Sequence, residues 1–331
     1  MMDPVLVEVT RGARVESAHR GAVVVLDAQG GVAFAAGDVD QAVYPRSAVK
    51  ALLALPLVET GAADRLGLTE AEVALACASH AGEPVHVAGA ASMLARAGRD
   101  VSTLECGVHW PGKELASRAL AASGGQPTAL HNNCSGKHSG FICLACDQGH
   151  DPKGYVHPEH PTMRMVTAAL ADTTGATLDD RNRATDGCSI PTYAIPLRAL
   201  ALAFARFADG EGFAPDRAAA AARIRAAVAA HPIMVGGTES FDTQLMTAMG
   251  ARVFSKAGAE GVWCASIPEL GLGVAVKCDD GAGRAAEIAT GAVLRRLLPD
   301  AEALAPFAAR TLRNWNGIEV GAIRPAAALV A

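Results

Sequence analysis

Hydrophobic and polar residues alternate with two different periods along this chain, and the change of period divides it. Val5-Leu6-Val7-Glu8-Val9-Thr10 has the composition of a strand. Arg14 to His19 and Ala22 to Leu26 read as two more, and Val32 to Ala36 returns after the turn Asp27-Ala28-Gln29-Gly30-Gly31. The first 40 residues therefore predict an antiparallel meander. A helix is expected from about Ser47 to Val58, and Ala51 to Val58 is apolar on every side, the pattern of a buried helix. Thr69-Glu70-Ala71-Glu72 is a capping box ahead of Val73 to Cys77. Further helices are predicted over about Val85 to Ala97, Pro161 to Thr173, Ile195 to Ala208, Pro215 to Ala229 and Phe241 to Met249, the last ended by Gly250. Strand patterns then return at Val253 to Lys256, Gly261 to Ser266 and Gly273 to Cys278, before a C-terminal helix over Ala285 to Leu298.

Strands at both ends around a helical middle predict an α+β fold. One antiparallel sheet is built from the two termini, about 1–45 with 250–331, and about 46–249 forms a helical lobe of the same single unit, 1–331. A cleft between the lobes is the expected place for a site.

Composition narrows the function classes. Half of the 331 residues are hydrophobic, enough for a sizeable core, and the formal net charge is −5 with Lys and Arg scattered. No basic stripe favours nucleic acid. No uncharged apolar run reaches the length of a membrane span. The start, Met1-Met2-Asp3-Pro4-Val5, lacks the pattern of a signal peptide. A soluble, cytoplasmic protein is expected, so its eight cysteines are thiols, metal ligands or core residues before they are disulfides. Cys143 and Cys146 lie inside an apolar helical run and read as core.

Chemistry concentrates in five polar stretches. Ser47 and Lys50 are three apart, so on a helix they share a face, and a hydroxyl beside a deprotonatable amine is a nucleophile with its base. The bland alternative is a helix cap and a solvated lysine, but the apolar run after Lys50 buries that lysine. Ser79-His80 follows a helix end and offers a second hydroxyl. Cys134 and Lys137 stand three apart, with Cys188 in a distant polar loop. This is not a common zinc spacing, yet two thiolates and a neutral amine would leave one tetrahedral position open. Lys256-Ala257-Gly258 ends a strand, where a lysine holds a serine deprotonated, stabilises an oxyanion or merely discourages edge pairing. Gly107 to Lys113 imitates a phosphate-binding loop, but Glu114 stands where Ser or Thr is needed and Pro111 disturbs the turn.

Together these segments resemble the Rhizobium-type L-asparaginase II family. The matching stretches are Tyr44-Pro45-Arg46-Ser47 with Lys50, Ser79-His80 with Gly82-Glu83, His131-Asn132-Asn133-Cys134-Ser135-Gly136-Lys137-His138, Asp186-Gly187-Cys188-Ser189-Ile190-Pro191, His231-Pro232, Phe241-Asp242-Thr243, and Lys256 with Gly258 and Glu260-Gly261. The resemblance implies a fold similar to serine β-lactamases and glutaminases, a homodimer, and hydrolysis of L-asparagine to L-aspartate and ammonia. It implies two catalytic pairs, Ser47 with Lys50 and Ser79 with Lys256. It implies zinc held by Cys134, Lys137 and Cys188, supporting substrate positioning. Arg46, His80, His138 and Asp186 are implied as substrate-binding groups. Rival readings are a glutaminase, a penicillin-recognising Ser-x-x-Lys amidase, and a metal-stabilised binding protein without catalysis.

Overall fold

The strand Arg14–Asp27 runs unbroken for 14 residues and carries the sheet. The sequence pattern divides it at Arg20-Gly21, because glycine interrupts a strand signature. In the computed structural model, which describes residues 2–330, the backbone stays extended through that point and changes partners there. Its first half pairs with Val5–Arg11 and its second half with Leu272–Cys278, while Val32–Ala36 pairs along Val23 to Leu26. Across the sheet the order is Arg310–Arg313, Glu319–Pro325, Val5–Arg11, Arg14–Asp27, Leu272–Cys278, Val262–Ile267 and Phe254–Ala257, and every pairing is antiparallel. The chain is thus an α+β protein whose sheet unites strands from both ends of the sequence.

Period-two alternation sorts the central side chains onto two faces. Val23, Val25, Val274 and Val276 join the core under the helix Gly283–Leu297, with Trp263 and Ala265. Ala22, Val24, Leu26 and Ala275 face the larger core of the helical region. Both faces are covered, which is why these strands read as nearly continuous apolar runs.

Besides that unbroken strand, a hairpin and a helix differ from the sequence reading. The hairpin Arg310–Arg313 and Glu319–Pro325 is absent from that reading. Its outer positions are exposed, Trp315 and Ile318 among them, so little alternation survives to signal it. The single helix expected over Ser47 to Val58 is three pieces: a 3-10 turn Arg46–Val49, then helices Lys50–Leu53 and Leu55–Glu59. Pro56 supplies no N–H and so fits only the first turn of a new helix, which forces the break. The predicted burial of the segment does appear, since every residue from Ala48 to Val58 is buried, Lys50 included.

Several other helices lie close to their predicted spans. Thr69 caps Glu70–Leu75 with the reciprocal Glu72 contact, and Pro161–Thr174, Leu197–Asp209 and Pro215–Ala230 differ from expectation by one or two residues. Among the described residues no helix is long and apolar enough to cross a membrane.

Candidate active site

Three separate segments bring polar groups to one buried point. Lys50, only 1% exposed, reaches out of its apolar helix. Its Nζ lies 2.6 Å from Ala78 O, 2.9 Å from Ser79 Oγ and 3.1 Å from Cys134 Sγ. Lys256, also 1% exposed, comes from the end of the strand Phe254–Ala257. Its Nζ lies 3.1 Å from the same Ser79 Oγ and 2.7 Å from Ala257 O. Ser79 is fixed from behind, because its N–H donates to Val235 O and the N–H of His80 donates to Asn133 O.

The pairing therefore differs from the spacing argument. Lys50 meets Ser79 rather than Ser47, and among the described residues the Ser47 hydroxyl makes no hydrogen bond. The i,i+3 rule holds for a regular helix. Here the residue before Ser47 is in the left-handed region, Arg46 at φ 51°, and the turn that follows is 3-10. A left-handed arginine is strained, and such strain concentrates at functional sites. The Ser47 N–H, at the open end of that turn, donates to no group of the described protein. The end of the Lys256 strand presses directly on the turn. A Cβ at Gly258 would stand 2.5 Å from Pro45 O and 3.2 Å from Ala48 N, so only glycine permits the approach.

Burial sets the proton affinities of the two amines. It pushes Lys50 below the ordinary lysine value, against the opposing pull of Cys134, with the charge of Lys137 adding to the fall. Burial also lowers Lys256, to about 8, although Asp242 acts to raise it. Asp242 belongs to the site and the sequence reading assigned it no role. Its carboxylate accepts from Ser255 Oγ at 2.7 Å, Ala257 N at 2.8 Å and Trp263 Nε1 at 3.1 Å, and lies 3.9 Å from Lys256 Nζ. Its place in Phe241-Asp242-Thr243 was the only signal, and an acid in the first turn of a helix ordinarily reads as a response to the helix dipole.

The thiol centre adjoins this point. Cys134 precedes the helix Ser135–Asp147, which packs hard on Glu70–Leu75: a Cβ at Gly136 would lie 2.4 Å from Leu75 O. Lys137 Nζ lies 3.0 Å from Cys188 Sγ, and Cys188 Sγ donates to Asp186 Oδ2 at 3.7 Å. The neighbouring Cys188 thiol, helped by the charges of Lys50 and Lys137, overcomes burial and holds Cys134 well below the usual thiol range. Cys188, sharing the pair, is pushed up and keeps its proton. Burial alone would lower Lys137, but the two thiols outweigh it. No group of three His, Cys, Asp or Glu side chains among the described residues is arranged for a metal. A set of two thiols and one amine has only two such groups. Its donor chemistry fits zinc: donors bound at about 2.0–2.3 Å in a tetrahedron stand about 3.3–3.7 Å apart, so the 3.0 Å Lys137–Cys188 contact needs to open by only a fraction of an ångström.

The four expected substrate-binding residues divide into two kinds. Both ring nitrogens of His80 are engaged by protein, Nε2 with Ser135 Oγ at 2.9 Å and Nδ1 accepting from Gly82 N at 3.1 Å, while the ring stacks on His86 at 4.9 Å. His80 thus braces the Ser79 loop against the Cys134 helix. Arg46 Nε donates to Asp186 Oδ1 at 2.5 Å. Burial works to raise Asp186, but Lys137 and Arg46 hold it below the usual carboxylate value. His138 keeps one nitrogen free: Nδ1 meets Tyr155 OH at 2.6 Å and buried Nε2 has no partner. Arg46, Asp186, Lys50 and Lys137 line a cavity of about 20 Å³, room for about one water. A far larger cavity, about 660 Å³, lies elsewhere, between the helices Pro84–Arg96 and Glu114–Ala122, and its Ala, Val and Leu walls are interleaved with Glu83, Lys113 and His131. The chemistry sits with the lysines, because polar groups converge there.

The family model for L-asparaginase II matches residues 7–325 of this chain. The chain belongs to the L-asparaginase II family. This L-asparaginase II family member is accordingly a hydrolase acting on amides. No curated protein matches it. Among solved structures it is similar to a β-lactamase from Mycobacterium bovis, at 15% identity and TM-score 0.39, over 80% of this chain and 89% of that one. It is also similar to Mglu in its tris and glutamate form, at 14% identity and TM-score 0.37, over 90% of this chain and 62% of that one. Likeness at that distance carries no argument about chemistry.

Proposed function

We propose that this family member hydrolyses L-asparagine to L-aspartate and ammonia through an acyl-enzyme on Ser47. The observation that carries the reading is the Ser79 hydroxyl suspended between two buried lysines, while the hydroxyl of Ser47, three residues before Lys50, makes no hydrogen bond among the described residues.

Proton accounting assigns the lysines opposite states. A neutral Lys50 has two N–H groups for Ala78 O and Cys134 Sγ, and a lone pair for the Ser79 proton. A charged Lys256, with Asp242 as its counter-ion, donates to Ser79 Oγ. Environments that push two like groups apart mark a base and an acid. With substrate bound, the Lys50 lone pair turns from Ser79 to Ser47, a contact that tightens only in the complex. Lys50 takes the Ser47 proton as Oγ bonds to the side-chain carboxamide carbon, and the carbonyl electron pair moves onto oxygen. The unused Ser47 N–H faces that oxyanion. The C–N bond breaks as Ser79 gives its proton to the leaving nitrogen and regains one from Lys50. Water then attacks the β-aspartyl ester as Lys50 accepts its proton, the C–O bond to Ser47 breaks as Lys50 passes that proton to Ser47 Oγ, and aspartate leaves.

Cys134, Lys137 and Cys188 would hold zinc, and bound zinc would supply positive charge that orients the substrate. The chain's own part there is to release the protons of Cys188 and Lys137 and to exclude water by burial.

Ammonia release from purified protein, with L-asparagine and L-glutamine in parallel, tests the reading. Release from asparagine, with glutamine slower by the roughly 10–200-fold that one methylene allows, supports it. No release from either amide refutes it.

A further inference from the structure

Tyr155 is the largest fully buried side chain among the described residues, and its hydroxyl makes two hydrogen bonds. The N–H of Glu105 donates to it at 3.0 Å, and His138 Nδ1 lies 2.6 Å away. The tyrosine proton needs an acceptor, and among the described residues that hydroxyl makes no other hydrogen bond. A buried hydroxyl that already accepts from a backbone N–H leaves its own proton stranded unless Nδ1 takes it. Nδ1 must then be unprotonated, and the ring hydrogen resides on Nε2. The alternative, Nδ1–H donating to Tyr155, leaves two buried groups unpaired, the tyrosine proton and the Nε2 lone pair, where the Nε2–H form leaves one. Nε2 is itself buried and has no protein partner. His138 follows Lys137 directly at the start of the helix Ser135–Asp147, beside the thiol centre.

We propose that Tyr155 is a positioning residue that fixes His138 in the Nε2–H form, so that His138 offers a hydrogen-bond donor to an acceptor oxygen of the amide substrate. The inference rests on the amidohydrolase reading for its ligand, but the tautomer itself does not. A donor at this place excludes His138 as a metal ligand through Nε2, because a protonated ring nitrogen has no lone pair to give. It selects a carboxylate or carbonyl oxygen and rejects an amine. The tie from Glu105 explains why a tyrosine is required: phenylalanine fills the space but accepts no backbone N–H and donates nothing to Nδ1. A second contact holds the two loops together, Gly154 N donating to Glu105 Oε1 at 2.8 Å, so the Tyr155 hydroxyl is fixed from both sides.

Nitrogen-15 correlation spectra of histidine-labelled full-length protein test this, with the His138 signals assigned by their loss in His138→Gln. The wild type should show His138 as the Nε2–H form, and added L-aspartate should shift the Nε2–H proton. Tyr155→Phe, folded by the criterion that the other histidine signals stay in place, should lose the pure Nε2–H pattern and raise KM for L-asparagine about tenfold, with a smaller effect on kcat. An Nδ1–H form in the wild type overturns the proposal, and so does an unchanged tautomer in Tyr155→Phe. The wild-type spectrum decides the point even where Tyr155→Phe fails to fold. If the wild type shows Nε2–H but neither responds to aspartate nor releases ammonia, the substrate reading fails and the tautomer assignment stands.

Discussion

Lys50 and Lys256 direct their amines at one oxygen, Ser79 Oγ, from 2.9 Å and 3.1 Å. Two buried lysines on one acceptor cannot both be charged without strong mutual repulsion, and the charge of Lys50 helps burial to lower Lys256. Ser79 is the link between them. Ser79→Ala should leave the fold intact and cut kcat for asparagine by about 10²–10⁴, the range of a lost proton relay, with little change in KM. Steady-state ammonia release and a circular dichroism melt check both halves.

The opposite charge states predict a bell-shaped pH profile. Below its own lowered value Lys50 is an ammonium with no lone pair, so the rate falls as pH falls. Above about 8 Lys256 loses its proton and its hold on Ser79, so the rate falls as pH rises. The log of kcat/KM against pH should show a basic limb near 8 in metal-free and zinc-loaded protein alike.

Asp242→Asn should move that basic limb to lower pH, because the carboxylate is what raises Lys256 against burial. It should also destabilise the fold. Three donors converge on the two carboxylate oxygens, and an amide NH₂ confronts one of them. An unpaired buried donor costs about 1–3 kcal/mol, measurable by urea unfolding beside the pH profile.

Gly258→Ala should separate the two halves of the site. The added carbon meets Pro45 O at 2.5 Å, so the Lys256 strand and the Ser47 turn must part. Overpacking of this kind costs about 1–3 kcal/mol, and kcat should fall by far more than that destabilisation explains. Unfolding and turnover on the same preparation distinguish the effects.

Zinc affinity should tighten with rising pH, because Lys137 is held protonated above its ordinary value in the free protein and Cys188 retains its thiol proton. Zinc should raise the melting temperature of the wild type, since a ligand bound by the native state alone stabilises it. Cys188→Ser should abolish that rise and increase KM more than it lowers kcat. Isothermal titration across pH and thermal melts test this.

Much of the architecture was legible in local patterns. The Thr69 cap, the buried run after Lys50 and the strand ending at Lys256 each announce themselves within a few residues. The Arg310–Arg313 hairpin did not, because one exposed edge carries too few apolar positions to alternate. The site was legible as a set of residues and illegible as a set of pairs. Lys256 and Ser79 stand 177 positions apart, and helical spacing argued for Ser47 as the partner of Lys50. Only the packing of three separate segments, with Arg46 turned left-handed and Gly258 pressed on Pro45, decides that Lys50 reaches Ser79. Asp242 and Tyr155 escaped notice for a related reason. A buried acid at a helix start and a tyrosine in a polar loop have no distinctive neighbours in sequence, and their roles follow from what they touch.

The central claim is that Ser47 attacks the carboxamide of asparagine, and the turnover number of Ser47→Ala tests it most directly. Ammonia release from L-asparagine should fall roughly 10³-fold or more, with the melting temperature unchanged, since the hydroxyl makes no hydrogen bond in the free protein. Near-normal kcat in Ser47→Ala would contradict the account and transfer the attack to Ser79.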